Sequence, residues 1–467
     1  MLTIFDGNES IDRRAMLRIG SLGLAGLTLP TLLAARAAAG EKNAHLSGKS
    51  VIYLFQQGGP SQFETFDPKP DAPSGIRAAT GTTQTKVPGL LFGDTMSRLA
   101  TLADKLTVVR SFQTNNAGHN IQPIVGPDSL NTNIGVHYAR VAGATRASSG
   151  TPTNAVIYPS AVSEEVPGPQ ARGNLKATGS YGSAYTPFVP GAGGELQNDM
   201  KLNLPRERFF DDRRSLLAQI DRLNRKMDAG GQIETMDKLQ QQAYGLLLGG
   251  GVAEALDLSK EDAKTVARYD TSHFAKKGQW NKAKRGQAGY YDAQAATIGK
   301  LLLLARRLCE AGCGFVTIHA SYAGVWDMHA DGNNLNMVDG MQAVGRSFDH
   351  AVAAFIEDLE ERGLTDKIML VASGEMGRTP KINKNGGRNH WAKLAPLLLH
   401  GGGVRGGQVI GQSTRDGGEP ATENLTPKHL ISTIMHTLFD VGQLRLARGV
   451  PPQVARLTQA QPIVEVS

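Results

Sequence analysis

Val51-Ile52-Tyr53-Leu54-Phe55 runs without a break into Gln56-Gln57-Gly58-Gly59-Pro60-Ser61-Gln62-Phe63-Glu64-Thr65-Phe66-Asp67. Five apolar residues in succession predict a strand buried on both faces, because a strand wetted on one face alternates polar and apolar residues. The same form recurs in Thr107-Val108-Val109, Ala155-Val156-Ile157, Gly314-Phe315-Val316-Thr317-Ile318, Ile368-Met369-Leu370-Val371 and Pro396-Leu397-Leu398-Leu399. Helical stretches separate these runs. Over 341–362, Val344, Phe348, Val352, Phe355 and Leu359 recur at three-to-four spacing, and Gly363 supplies a C-terminal stop. A second, strongly apolar helix over 298–308 feeds the strand after Gly312. The expectation is an α/β layered fold with a mostly parallel central sheet.

Residues 195–296 differ in character, with charged helical pieces over 213–227 and 234–248 and a Lys- and Gly-rich stretch over 276–289. A mostly helical insertion or cap, ending in a mobile basic loop, is expected there. The stripe Leu216, Leu217, Ile220, Leu223 and Met227 reads as a packing face of that insertion. The whole chain of 467 residues is long enough to bury a substantial core. Its 55 glycines, about 12% against a usual ~7%, predict loops with close backbone approaches. The 50 basic and 43 acidic residues leave a net charge of +7, but they are interspersed, so a nucleic-acid partner is not expected. Cys309 and Cys313 are too few and too close for a disulfide framework, and buried free thiols are expected ahead of a local disulfide.

The N-terminus places Arg13-Arg14 and Arg18 before an apolar stretch over 19–35 and the small residues Ala37-Ala38-Ala39. That order predicts a twin-arginine signal peptide over 1–39, export to the periplasm, and a mature domain over 45–467. The apolar stretch is short and interrupted by glycines and Pro30, so no stable membrane span is expected once it is removed. Cleavage would lower the net charge only from +7 to +6, because Arg13, Arg14, Arg18 and Arg36 leave with Asp6, Glu9 and Asp12.

In an open parallel sheet, ligands bind outside the carboxyl ends of the strands. The polar clusters of this chain follow its predicted strands: 56–67 after the first; Arg110, Ser111 and then His119 after the second; His319 and then Trp326-Asp327-Met328-His329; and Glu375, Arg378 and His390 after the strand containing Met369. Asp327, His329, Glu375 and His390 provide a mixed nitrogen and oxygen set suited to a divalent metal. Arg378 is expected to clamp an anionic oxygen, with Ser61, Ser111 and His119 as further candidates for catalysis. Singly, each has a plainer reading: His319 as a core histidine, His350 as a packing residue, Gly58-Gly59 as a tight turn. Their joint placement at strand ends favours a site.

These motifs resemble the bacterial DUF1501 family, which is sulfatase-like and belongs to the alkaline phosphatase superfamily. The resemblance spans the mature chain. It runs through Gly58-Gly59-Pro60-Ser61-Gln62, Thr65-Phe66-Asp67-Pro68, Val109-Arg110-Ser111 with His119, Leu304-Ala305-Arg306-Arg307-Leu308 and Trp326-Asp327-Met328-His329. It continues through 358–364, Gly374-Glu375-Met376-Gly377-Arg378 and Gly387-Arg388-Asn389-His390-Trp391. It implies a three-layer alkaline-phosphatase-like fold with a helical insertion, and a metal-dependent hydrolase using Zn, Mn, Mg or Ca on a phosphate or sulfate ester. A polysaccharide or surface polymer is the substrate class envisaged. Asn389 stands where the family has Asp, Met376 where it has Phe, and the exit of the first strand carries no acidic metal ligand. Those departures motivate the alternative, a catalytically degenerate envelope protein that binds an anionic glycan or an envelope partner in the same cleft.

Overall fold

The computed structural model describes residues 45–146, 149–191, 251–275, 280, 287–320, 322 and 324–465, with a short N-terminal antiparallel pair, Ile4–Asp6 and Glu9–Ile11. Apart from that pair, the expected signal peptide lies outside the described residues, as do residues 192–250 with the stripe from Leu216 to Met227.

Seven strands form the central sheet: β1 (Ser50–Phe55), β2 (Thr107–Val109), β3 (Asn154–Ile157), β4 (Phe315–Ile318), β5 (Ile368–Ser373), β6 (Leu397–Gly401) and β7 (Gln408–Ile410). Their order is β7-β2-β6-β5-β1-β4-β3. Every neighbouring pair is parallel except those made by β6, which runs antiparallel to both β2 and β5. The mostly parallel sheet is therefore present, with one reversed strand inside it. All residues of β1, β4 and β5 are buried, as continuous apolarity requires.

Alternation along β1 separates two cores. Ile52 and Leu54 join Val316, Ile318, Leu370 and Ala372 beneath α2 (Gln287–Glu310) and α3 (Arg346–Glu361). Val51, Tyr53 and Phe55 join Phe315, Met369 and Val371 against α1 (Ile134–Ala142) and α4 (Pro427–Leu438). A three-layer α/β/α architecture follows. Each fully buried Leu, Ile, Val or Phe stabilises it by about 1.5–3 kcal/mol over an exposed one. α3 is preceded by the short helical turn Met337–Gly340 and a π-helical turn, Met341–Gly345, and Gly363 at φ +64° supplies its expected stop.

The described part of the 195–296 segment is helical, with Gly251–Leu256 and Ala263–Arg268. Residues 287–289, expected in a basic loop, are instead the first turn of α2. Glu261 ties this segment to the layer, receiving Arg306 at 2.6 Å, Arg307 at 2.9 Å and Arg362 at 2.7 Å. Cys309 and Cys313 are buried free thiols, and burial pushes the Cys313 thiol up to about 12. No described helix is long and apolar enough to cross a membrane.

Because β1, β2, β4 and β5 all point the same way, the loops leaving them rise on one rim of the sheet. The site is built there.

Candidate functional site

Beyond β4 the chain is anchored by Trp326, buried with its ring edge-on to Phe348 of α3, and this sets the next residue, Asp327, at the rim. The Asp327 carboxylate is 2% exposed. Its Oδ2 meets Nε2 of His119 at 2.8 Å and Nε2 of His329 at 3.0 Å. Its Oδ1 meets Nε2 of His390 at 3.0 Å and accepts from Nη2 of Arg378 at 2.7 Å. The loop after β1 passes close enough to require glycine. A Cβ on Gly58, at φ +119°, would stand 2.8 Å from the Asp327 backbone nitrogen.

Glu375 leaves the end of β5 fully buried. The Gly58 N–H donates to both its oxygens, at 2.9 and 3.1 Å, and Oε1 lies 3.1 Å from Nδ1 of His119. Nδ1 of His390 lies 2.9 Å from the Ala117 carbonyl oxygen. Both imidazoles are thus held from behind at Nδ1 and present Nε2 to Asp327. That is how outer hydrogen bonds orient metal-binding histidines.

Burial alone would raise the Asp327 carboxyl, but hydrogen bonds from His119, His329 and His390 and the Arg378 charge hold it far below the usual carboxylate range. For His119, burial works to lower the imidazole, and it is overcome by the hydrogen bonds and charges of Asp327 and Glu375, which raise it to about 9.

One ligand atom each from His119, Asp327 and His390 lies within 4.8 Å of the others, and these residues form a group able to hold a metal among the described residues. Two imidazole nitrogens and a carboxylate oxygen suit a borderline divalent ion. Nearby, Asn334 places Nδ2 3.4 Å from Asp327 Oδ2, while its Oδ1 is buried without a hydrogen-bond partner. The chemistry of this donor set, two imidazole nitrogens and one carboxylate oxygen, fits one divalent ion.

The roles divide differently from those read in the sequence. His119, expected to serve catalysis, is one of the three converging groups. His329 touches Asp327 beside them, and Glu375, expected as a ligand, has its oxygens turned to Gly58 and His119. Arg378 corrects the expectation of an anion clamp. It is fully buried, and its guanidinium donates to the carbonyl oxygens of Gly58, Gly59, Trp326 and Arg388 as well as to Asp327, which makes it a strut between loops. Ser61 is likewise no free nucleophile, since its buried hydroxyl donates to Glu64. Ser111 is buried at the end of β2, three positions from β1 in the sheet, with its Oγ facing Gly411. Asn334 escaped the sequence reading because a lone Asn in a polar loop gives no signal.

No curated protein gives a significant match. Among solved structures, the chain is similar to the PsFucS1 sulfatase from Pseudoalteromonas sp. at 12% identity, covering 82% of this chain and 70% of that one with a TM-score of 0.33. It is similar to the lipoteichoic acid synthase LtaP from Listeria monocytogenes at 9% identity, over 84% and 79%, with a TM-score of 0.29. For the alkaline phosphatase of the Antarctic bacterium TAB5, identity is 15%, coverage 76% and 92%, and the TM-score 0.26. Residues 48–461 match the family described as "Protein of unknown function (DUF1501)", and the chain belongs to that family.

Proposed function

We propose that the chain is an exported, metal-dependent hydrolase of phosphate or sulfate esters carried on a polysaccharide or surface polymer. The observation that supports it is the convergence of His119 and His390 on Asp327, each with Nδ1 held from behind. A divalent ion bound there would supply Lewis acidity and lower the pKa of a water. The chain's own residues do the rest. Glu375 keeps His119 in register, and Arg378 braces Asp327 so that the carboxylate cannot swing away. His329 is 3.0 Å from Asp327, and its side chain is 21% exposed, so it is placed to pass a proton at Nε2 between the rim and solvent.

A second reading rests on a separate observation. Gln57 stands at the exit of β1, and its amide is engaged by His319, Asn120 and the Arg172 backbone rather than by a ligand. With Ser61 and Ser111 away from Asp327, this favours a binding or accessory protein of the cell envelope. Elemental analysis of protein purified without chelator, followed by a screen of phosphate and sulfate esters, separates the two. The hydrolase reading expects about one divalent ion per chain and metal-dependent turnover. A metal-free protein without turnover selects the binding reading.

A further inference from the structure

We propose that a cavity on the rim, walled by Lys69, Arg110 and Arg415, is a subsite for a tetrahedral oxyanion, a sulfate or phosphate group borne on a sugar chain. The cavity has a volume of about 580 Å³. That is more than one such anion fills, and it leaves room for the ring that carries it.

Three cations and two carboxylates, Asp67 and Asp71, line this space. Asp67 is already neutralised. It is 5% exposed, accepts from the Ser413 hydroxyl, and lies 3.2 Å from Lys69 Nζ and 3.5 Å from Arg110 Nη1. Arg110 is oriented mainly by backbone, donating through Nε to the Phe66 carbonyl at 2.9 Å and through Nη2 to that of Leu91 at 3.2 Å. Lys69, Arg110 and Arg415 against Asp67 and Asp71 leave the cavity wall with a surplus of positive charge, and the planar guanidinium of Arg110 matches an oxyanion. Arg415 is exposed on the neighbouring hairpin and forms no ion pair among the described residues. Lys69 sits at φ +50°, in the left-handed region that disfavours side chains. Strain of this kind persists where the surroundings impose it, and here the Lys69 ammonium lies at the cavity wall, 3.2 Å from Asp67 and 3.5 Å from the Ser413 carbonyl oxygen.

The cavity adjoins the Asp327 cluster through one hairpin. Gly417, two residues after Arg415, packs on Phe63 and Lys69, and the Gly418 carbonyl accepts from Nε1 of Trp391 at 2.6 Å, next to His390. Two anion-handling points on one rim suit a polymer with repeated anionic groups. That substrate class rests on the hydrolase reading, whereas the anion site rests on its own residues.

The test is calorimetric binding to the full chain of a sulfated oligosaccharide, a phosphorylated one, their uncharged parent, and inorganic sulfate and phosphate. The variants are Lys69→Gly, which removes the charge at a backbone conformation glycine prefers, and Arg415→Ala on the surface. Wild type should bind a charged oligosaccharide at least about tenfold more tightly than the parent, and the double variant should lose about tenfold, the scale of one charge-assisted contact. The better of the two charged probes identifies the anion. Metal content should not change in the variants. Equal binding of charged and uncharged sugars, or undiminished binding by the double variant, overturns the subsite. Charge-selective binding by a protein without metal would leave the subsite standing and remove the hydrolase reading.

Discussion

Glu64 and Asp327 are both buried carboxylates on the rim, and each is paired with a fully buried arginine. Around Glu64 every donor is matched. Arg388 reaches it through Nε at 3.1 Å and Nη2 at 3.0 Å, the Ala79 N–H donates at 2.9 Å, and the Ser61 hydroxyl completes the set. Arg388 spends its remaining donors on backbone carbonyls and stacks 4.2 Å over Phe63. Around Asp327, three imidazoles crowd in beside the arginine, and ligand atoms of two of them converge with the carboxylate. Burial of an ion pair is common to both places. Surplus ligand capacity is found only at the second, and it separates a site from a strut.

The largest effect should come from Asp327→Ala. Bound metal is expected to fall from about one ion to none in elemental analysis, and Arg378 left buried and unpaired should cost about 3–5 kcal/mol in denaturant unfolding. Asp327→Asn keeps the volume and should lose metal with a smaller stability cost. Retention of metal by both would remove Asp327 from the centre. Glu64→Gln should show the opposite balance, a loss of about 2–4 kcal/mol with metal content unchanged in the folded fraction. If it instead releases metal at unchanged stability, the two pairs are not the different objects described above.

The sheet was largely legible because residues buried on both faces read as unbroken apolar runs, and polar clusters followed those runs. Direction was not legible. Leu397-Leu398-Leu399 is buried on both faces in the same way as β5, so nothing in its composition marks β6 as antiparallel. Asp327, His329 and His390 stood out as ligand types at strand exits, yet the position of His119 depends on the path of the loop that leaves β2 and reaches Glu375 and Asp327. Arg378 was misread because a guanidinium near a candidate site looks like an anion clamp until its donors are counted. The family-like segments 304–308 and 358–364 meet in an ion network, Arg306 and Arg362 with Asp358 and Glu261. Their distinctiveness reflects packing of α2 on α3.

That network extends the matched side of the comparison and responds to acid. Burial would raise the Glu261 carboxyl, but hydrogen bonds and charge from Arg307 and Arg306, with the Arg362 charge, bring it to about 2. A depressed folded-state value means that its stabilisation is present above the ordinary value near 4.5 and is lost as pH falls toward 2. Glu261→Gln should therefore be about 2–3 kcal/mol less stable at pH 7 and flatter than wild type between pH 4.5 and 2 in urea titrations. Parallel pH curves for the two proteins would count against the network.

The smallest effects concern the two serines. Ser61→Ala removes one donor from Glu64 and should cost about 1–2 kcal/mol. Ser111→Ala should change stability by less than about 0.5 kcal/mol or improve it slightly, because its hydroxyl is buried without a partner and pressed against Gly411. Neither variant should alter metal content. If metal-dependent ester hydrolysis is observed, both should retain it within about twofold, because neither hydroxyl is brought to Asp327. Loss of turnover in Ser111→Ala, with stability and metal unchanged, would carry the reacting centre to the end of β2. The chain would then need a movement that brings β2's exit to the Asp327 cluster, and a buried hydroxyl without a partner would have to be counted as surplus capacity too.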